Sequence, residues 1–253
     1  MSAGSAPRHP GAPPRRDRSR PPLVVAAAQP PCVPGDVAAN VAAHAAMVRA
    51  VHARLVVFPE LSLTGYLVAA DPVAPGDPVL APLVGACRET GTLALVGAPV
   101  SDGADRRSIA VLGVSGDGAG VVYRKTFLGG DEPAHHSPGP GPAAIEVDRW
   151  RVGLGVCRDT GVAEHVHGTA ALGVDVYAAG LVHAPDELGE QDARGLRIAA
   201  VTGAHVVLAS AAGPVGGPYR ETAGTSTVWA PDGSVLARAG AAPGGCARTV
   251  IGG

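Results

Sequence analysis

Short apolar runs that alternate with segments of helical spacing constrain this chain more than any other feature. Leu23 to Ala28, Leu55 to Phe58, Leu93 to Val96, Val152 to Val156, Asp175 to Ala178 and His205 to Ala209 are each too brief for a buried helix and read as buried strands. Between them lie helical stretches. Asp36 can cap a helix over Val37 to Ala53, where Val37, Val41, Val48 and Val51 fall near one face. Asp77-Pro78 opens a second helix that Gly91 closes. Further helices are expected over Val162 to Leu172 and Asp186 to Thr202. Strand pairs are expected at Ser108 to Val114 with Gly120 to Tyr123 and at Thr225 to Trp229 with Ser234 to Arg238 across Pro231-Asp232-Gly233, and a further strand at Ile145 to Val147. This order predicts an α/β fold with mixed sheets and helices outside. Its two halves share a rhythm, which predicts two sheets stacked face to face.

The filling of such a core is set by composition. The chain has 253 residues, 46% of them hydrophobic but only 3% aromatic, so the core must be built from Ala, Val and Leu. Charge is unevenly placed. Residues 1–22 hold Arg8, Arg15, Arg16, Arg18 and Arg20 against Asp17 alone, while the net charge is −2, so the remainder is acidic and offers no surface to nucleic acid. The Arg- and Pro-rich segment 1–22 is expected to be a disordered leader, followed by one domain over 23–253. No apolar run approaches the roughly 18 residues of a membrane span, and no secretory signal core is present. Cys32, Cys87, Cys157 and Cys246 show no CxxC pair and no zinc spacing, so free thiols in a cytoplasmic protein are expected, with no metal and no cofactor.

Three chemically capable residues fall at strand ends. Glu60 lies in Phe58-Pro59-Glu60-Leu61-Ser62, Lys125 in Tyr123-Arg124-Lys125-Thr126, and Cys157 in Gly155-Val156-Cys157-Arg158-Asp159. The carboxyl edge of an α/β sheet is where active sites gather. A thiol becomes a strong nucleophile on losing its proton, and a nearby carboxylate can take it. An ammonium and a backbone N–H can then hold the oxyanion that attack creates. A helix beginning after Cys157 would direct the N–H of Arg158 at the site. Each signal alone is weak. A buried cysteine is usually inert packing and a charged residue after a strand is usually a solvated end. Only the combination is informative.

With these motifs the chain resembles the nitrilase superfamily. The stretch Phe58-Pro59-Glu60-Leu61-Ser62-Leu63-Thr64-Gly65-Tyr66 is similar to that family's glutamate motif. Tyr123 to Leu128 is similar to its lysine motif, and Gly155 to Asp159 with Glu164 to its cysteine motif. Glu132, seven residues before Gly139, stands where the family has a second glutamate that positions the lysine or substrate. The opening Ala28-Gln29 and the closing Gly224-Thr225-Ser226 also fit. The resemblance runs from Leu23 to about Arg238 and implies an α-β-β-α sandwich, a Glu60-Lys125-Cys157 triad, a thioester intermediate and a small-molecule amide-type substrate, with Glu132, Arg158 and Tyr66 in supporting roles. It further implies a homodimer or higher homo-oligomer. Departures are Arg158 in place of an aromatic residue, Val162-Ala163 in place of Phe-Pro, Ser210 in place of an Asn, and His136 at an aromatic or aliphatic position.

Other readings carry less. His165, His167, His135 and His136 offer imidazoles to a metal, but no third ligand has recognisable spacing. No histidine context singles out a Cys-His pair, and sugar-binding aromatics are too few for a glycosidase using Glu60 and Glu132. A catalytically weak member acting as a binding or regulatory subunit is the alternative of a different class. Arg158 is expected either to bind a substrate carboxylate or to pair with Asp159 or Glu164. His135, His136 and His183 are candidates for the pocket mouth or ordinary loop residues. Among substrates, an amide is the default over a nitrile or a carbamoyl compound.

Overall fold

The computed structural model describes residues 20–101, 103 and 106–252. The leader expected over 1–22 lies outside the described residues up to position 19. Its last residues are held: Arg20 pairs with Asp175 and stands 5.4 Å above the Trp150 ring, whose Nε1 donates to the Pro21 carbonyl at 2.9 Å.

Sixteen strands and α-helices follow. The first half contains β1 (Leu23–Gln29), α1 (Val37–Val51), β2 (Leu55–Val57), α2 (Ala81–Thr90), β3 (Leu93–Ser101), β4 (Arg107–Ser115) and β5 (Gly118–Arg124). The second contains β6 (Ala143–Val147), β7 (Trp150–Val156), α3 (Ala163–Ala171), β8 (Val176–Leu181), α4 (Leu188–Thr202), β9 (His205–Ser210), β10 (Thr227–Trp229), β11 (Val235–Arg238) and β12 (Gly245–Ile251). One six-stranded sheet has the order β12-β1-β2-β3-β4-β5, the other β11-β10-β9-β8-β7-β6. Both are mixed: β1, β2 and β3 run parallel, as do β7, β8 and β9, while the flanking pairs are antiparallel.

The period of two along each strand sorts the side chains into layers. On β1, Val25 and Ala27 point into the seam between the sheets, where Leu154, Val156, Val207 and Ala209 meet them. Ala26 and Ala28 point the other way, onto Val41, Val48 and Leu83 of the first helical layer. On the far side, Tyr177 and Leu208 pack under Ile198 of α4. The result is the four-layer α-β-β-α sandwich. Asp36 caps α1 through a 2.9 Å bond from Ala39 N–H, and Gly91 closes α2 in the left-handed region at φ 67°.

Three elements differ from the sequence reading. β3 runs on to Ser101, five residues beyond Val96. β2 pairs with β3 only as far as Leu95, so the missing Pro99 N–H costs no ladder bond on that side. β12 was not foreseen. Its segment contains Arg248 and Thr249 and becomes a strand by covering the edge of β1 from Leu23 to Gln29. The helix expected directly after Cys157 is a 3-10 turn, Cys157–Gly161, before α3 begins at Ala163. No helix among the described residues is long and apolar enough to cross a membrane.

Candidate active site

The residues singled out in sequence converge at the carboxyl ends of β2, β5 and β7. Glu60 sits in the turn that follows β2. Leu61 adopts φ 50°, Leu63 N–H donates to the Gly97 carbonyl at 3.0 Å, and Thr64 N–H to Leu61. This turn is wedged between the two sheets. A Cβ on Gly97 of β3 would lie 2.6 Å from the Pro59 carbonyl oxygen, and one on Gly180 of β8 would lie 2.5 Å from that of Phe58. Both positions therefore require glycine, because backbone passes against backbone there.

Lys125 follows β5 and is fixed at both backbone groups: its N–H donates to Ile109 and its carbonyl accepts from Gly139, each at 2.8 Å. Its ammonium donates to Glu60 Oε1 and to Glu132 Oε1, each at 2.7 Å. Glu60, Lys125 and Glu132 are 3%, 1% and 1% exposed, so these are ion pairs without solvent screening. Glu132 is held further by the Tyr66 hydroxyl at 2.8 Å on Oε1 and by Gly129 N–H at 2.8 Å on Oε2. The second Glu60 oxygen, Oε2, is buried without a hydrogen-bond partner.

Cys157 leaves β7 with φ 41°, a left-handed backbone that a residue with a Cβ adopts only under constraint. The turn presents the sulfur at a strand-to-helix elbow. Its thiol points to the Val182 carbonyl, 3.6 Å away. Burial, then the Glu60 carboxylate, pushes the thiol up to about 12, with Lys125 acting against this. Burial also raises Glu60; Lys125 opposes that shift, Glu132 adds to it, and the neighbouring thiol pulls it back. Burial disfavours the Lys125 ammonium, but Glu60, Cys157 and Glu132 outweigh it and hold its pKa above the ordinary lysine value. One ammonium thus faces two carboxylates beside a neutral thiol. Moving the thiol proton onto Glu60 leaves the total charge of the cluster unchanged, which makes the transfer affordable in a dry site.

Among the supporting candidates, Glu132 and Tyr66 join this cluster. Arg158 is exposed and its side chain lies against Gly129. Neither expected pairing forms among the described residues: the Asp159 carboxylate turns inward, to Phe127 N–H, Val156 N–H and the Tyr123 hydroxyl. His136 is buried with Nε2 at 2.8 Å from the Val68 carbonyl, His183 is buried beside Gln191, and His135 is exposed. Tyr219 was missed. Its ring meets Tyr66 edge-on at 4.9 Å, and Cys157 and Glu60 are among the charges that raise its phenol, after burial, to about 12. No local pattern marks it, since a glycine-rich loop far along the chain brings it there. A cleft of about 430 Å³ opens beside Tyr66 between Leu67, Val68, Asp131 and Pro218.

Comparison with known proteins gives this geometry a family. The carbon-nitrogen hydrolase family model matches residues 24–250. An amidase variant from Nesterenkonia sp. AN1, solved in complex with butyramide, is 25% identical, with 95% of this chain and 94% of that one covered and a TM-score of 0.79. The NitN amidase of the same organism is 25% identical over 90% and 92%, with a TM-score of 0.78. Nit3 of Saccharomyces cerevisiae, a nitrilase-superfamily member, shares the fold at 21% identity over 91% and 90%, with a TM-score of 0.79. No protein of curated function matches the sequence. With a family model spanning nearly the whole described chain, the protein belongs to the carbon-nitrogen hydrolase family of the nitrilase superfamily.

Proposed function

We propose that the protein hydrolyses a small primary amide to a carboxylate and ammonia through a thioester on Cys157. The observation that carries this reading is the Lys125 ammonium bound at 2.7 Å to Glu60, whose other oxygen is buried and unpartnered. Glu60 takes the thiol proton as Sγ attacks the carbonyl carbon. The oxygen that gains charge is held by Lys125 and by the N–H of Arg158, at the start of the 3-10 turn. Glu60 returns the proton to the nitrogen, the C–N bond breaks and ammonia leaves. Water then attacks the thioester and gives a proton to Glu60, which passes it back to the departing thiolate. Glu132, fixed by Tyr66 and Gly129, keeps Lys125 oriented. The butyramide complex of the 25% identical amidase supports a short aliphatic acyl group.

An ammonia-release screen over aliphatic amides, carbamoyl compounds and nitriles tests the substrate class, and intact-protein mass spectrometry during turnover tests for an acyl adduct on Cys157. Lys125→Ala is expected to lower turnover by roughly two to three orders of magnitude, the usual cost of an oxyanion donor. Normal turnover by Cys157→Ala would overturn the scheme.

A further inference from the structure

A second buried carboxylate lies behind the reactive turn, and the chemistry above does not use it. Asp159 is fully buried and forms no ion pair among the described residues. Its charge is met by three donors. Oδ1 accepts from Phe127 N–H at 2.8 Å, and Oδ2 accepts from Val156 N–H at 3.0 Å and from the Tyr123 hydroxyl at 2.8 Å. Val156 immediately precedes Cys157, and Phe127 and Tyr123 flank Lys125 two residues to either side. One carboxylate therefore ties the backbone that presents the thiol to the backbone that presents the ammonium. These segments come from different sheets: β7 ends at Val156 and β5 at Arg124.

We propose that Asp159 is a positioning residue that fixes Cys157 against Lys125, with Tyr123 and His165 completing the clamp. This rests on the thioester reading given above. Hydrogen bookkeeping sets the states of the partners. The single Tyr123 hydroxyl proton goes to Asp159, so the 2.8 Å contact with His165 Nε2 requires the imidazole to donate from Nε2. Burial lowers the pKa of His165 against the Asp159 charge and so favours the neutral imidazole, whose Nδ1 then accepts from the Tyr177 hydroxyl at 3.2 Å. The Tyr123 oxygen also meets the hydroxyl of half-buried Thr126 at 3.0 Å, and losing one member of the network leaves others unpaired.

Two variants test the clamp. Asp159→Asn replaces one acceptor oxygen with a donor, and at least one backbone N–H loses its partner whichever way the amide turns. Tyr123→Phe removes one donor and keeps the ring. The readouts are kcat and KM on the amide found by the screen, the rate of Cys157 alkylation by iodoacetamide at pH 7 mapped by peptide mass, and the melting temperature. Asp159→Asn is expected to lower kcat about 10²-fold with KM within about threefold, since misplacement of reacting groups by about 1 Å costs that much. Alkylation should slow about tenfold. Tyr123→Phe should lower kcat about tenfold, and it carries the test if Asp159→Asn does not fold. A folded variant that melts lower but keeps kcat and alkylation within threefold of the parent would make Asp159 merely structural and overturn the proposal. If the parent protein neither turns over amides nor is alkylated at Cys157, the thioester reading fails instead.

Discussion

Lys125 Nζ lies 2.7 Å from Glu60 Oε1, and the two side chains are 1% and 0% exposed. The same ammonium serves Glu132 Oε1 at 2.7 Å. Removing the cation while both carboxylates stay buried leaves charge that cannot be solvated. Breaking a buried pair in this way costs about 3–5 kcal/mol. Lys125→Met should therefore both lower turnover by roughly two to three orders of magnitude and lower the denaturant midpoint strongly, as measured by equilibrium unfolding. Lys125→Met combined with Glu60→Gln and Glu132→Gln should recover much of the stability and regain none of the lost activity.

The wedge around Glu60 gives a second expectation. A methyl at Gly180 would lie 2.5 Å from the Phe58 carbonyl oxygen and 2.7 Å from Glu60 N. Gly180→Ala must push the Glu60 turn aside, with an overpacking cost of about 1–3 kcal/mol. A fall in kcat of at least about 10²-fold is expected, because the base moves relative to the thiol. Gly189→Ala meets nothing within 4 Å and serves as the control. Equal kinetics for the two variants would contradict the wedge.

The acid limb of the rate profile should report the Glu60–Cys157 pair. Burial, opposed by Lys125 and reinforced by Glu132, raises Glu60 above its ordinary value of 4.5. The base must be ionised to accept the thiol proton, so kcat/KM should rise with pH through a value above 4.5. Glu132→Gln removes the like charge that helps raise Glu60, so the limb should move to lower pH. A limb that stays in place or moves up would contradict this charge coupling.

His44 supplies a stability signal of its own. It is fully buried, 2.6 Å from the Asn40 carbonyl oxygen and 2.9 Å from the Ser62 hydroxyl in the Glu60 turn. Burial lowers its pKa from 6.5 to about 4, against the Asn40 carbonyl, which raises it. Between those values the unfolded chain takes up a proton that the folded chain refuses. The contribution is complete above pH 6.5 and is lost as pH falls toward 4, amounting to roughly 3 kcal/mol. Urea midpoints measured from pH 7 to pH 4 should fall less steeply in His44→Gln than in the parent protein.

The layered fold and the positions of Glu60, Lys125 and Cys157 were legible because both rest on local pattern. A buried strand in this fold shows as an apolar run such as Leu55–Val57 or Val152 to Val156, and a reactive residue placed just beyond it marks the sheet edge. Two local readings misled. The strand read as Leu93 to Val96 continues through Pro99 to Ser101, and the shortness of β2 shows why the proline is tolerated. Asp159 looked like a surface partner for Arg158, whereas the 3-10 turn directs it inward.

The sequence by itself determined the alternation of elements, the chemistry available at three strand ends and the family resemblance, since each is written in neighbouring residues. Only the tertiary structure decided that β12 closes the β1 edge, that Gly97 and Gly180 pinch the Glu60 turn, that Tyr219 packs edge-on against Tyr66, and that Asp159 joins Val156 to Phe127 and Tyr123. Each of these joins segments far apart in the chain. Such contacts depend on how two sheets stack and on where buried polar groups must find partners, and neither leaves a periodic trace in the sequence.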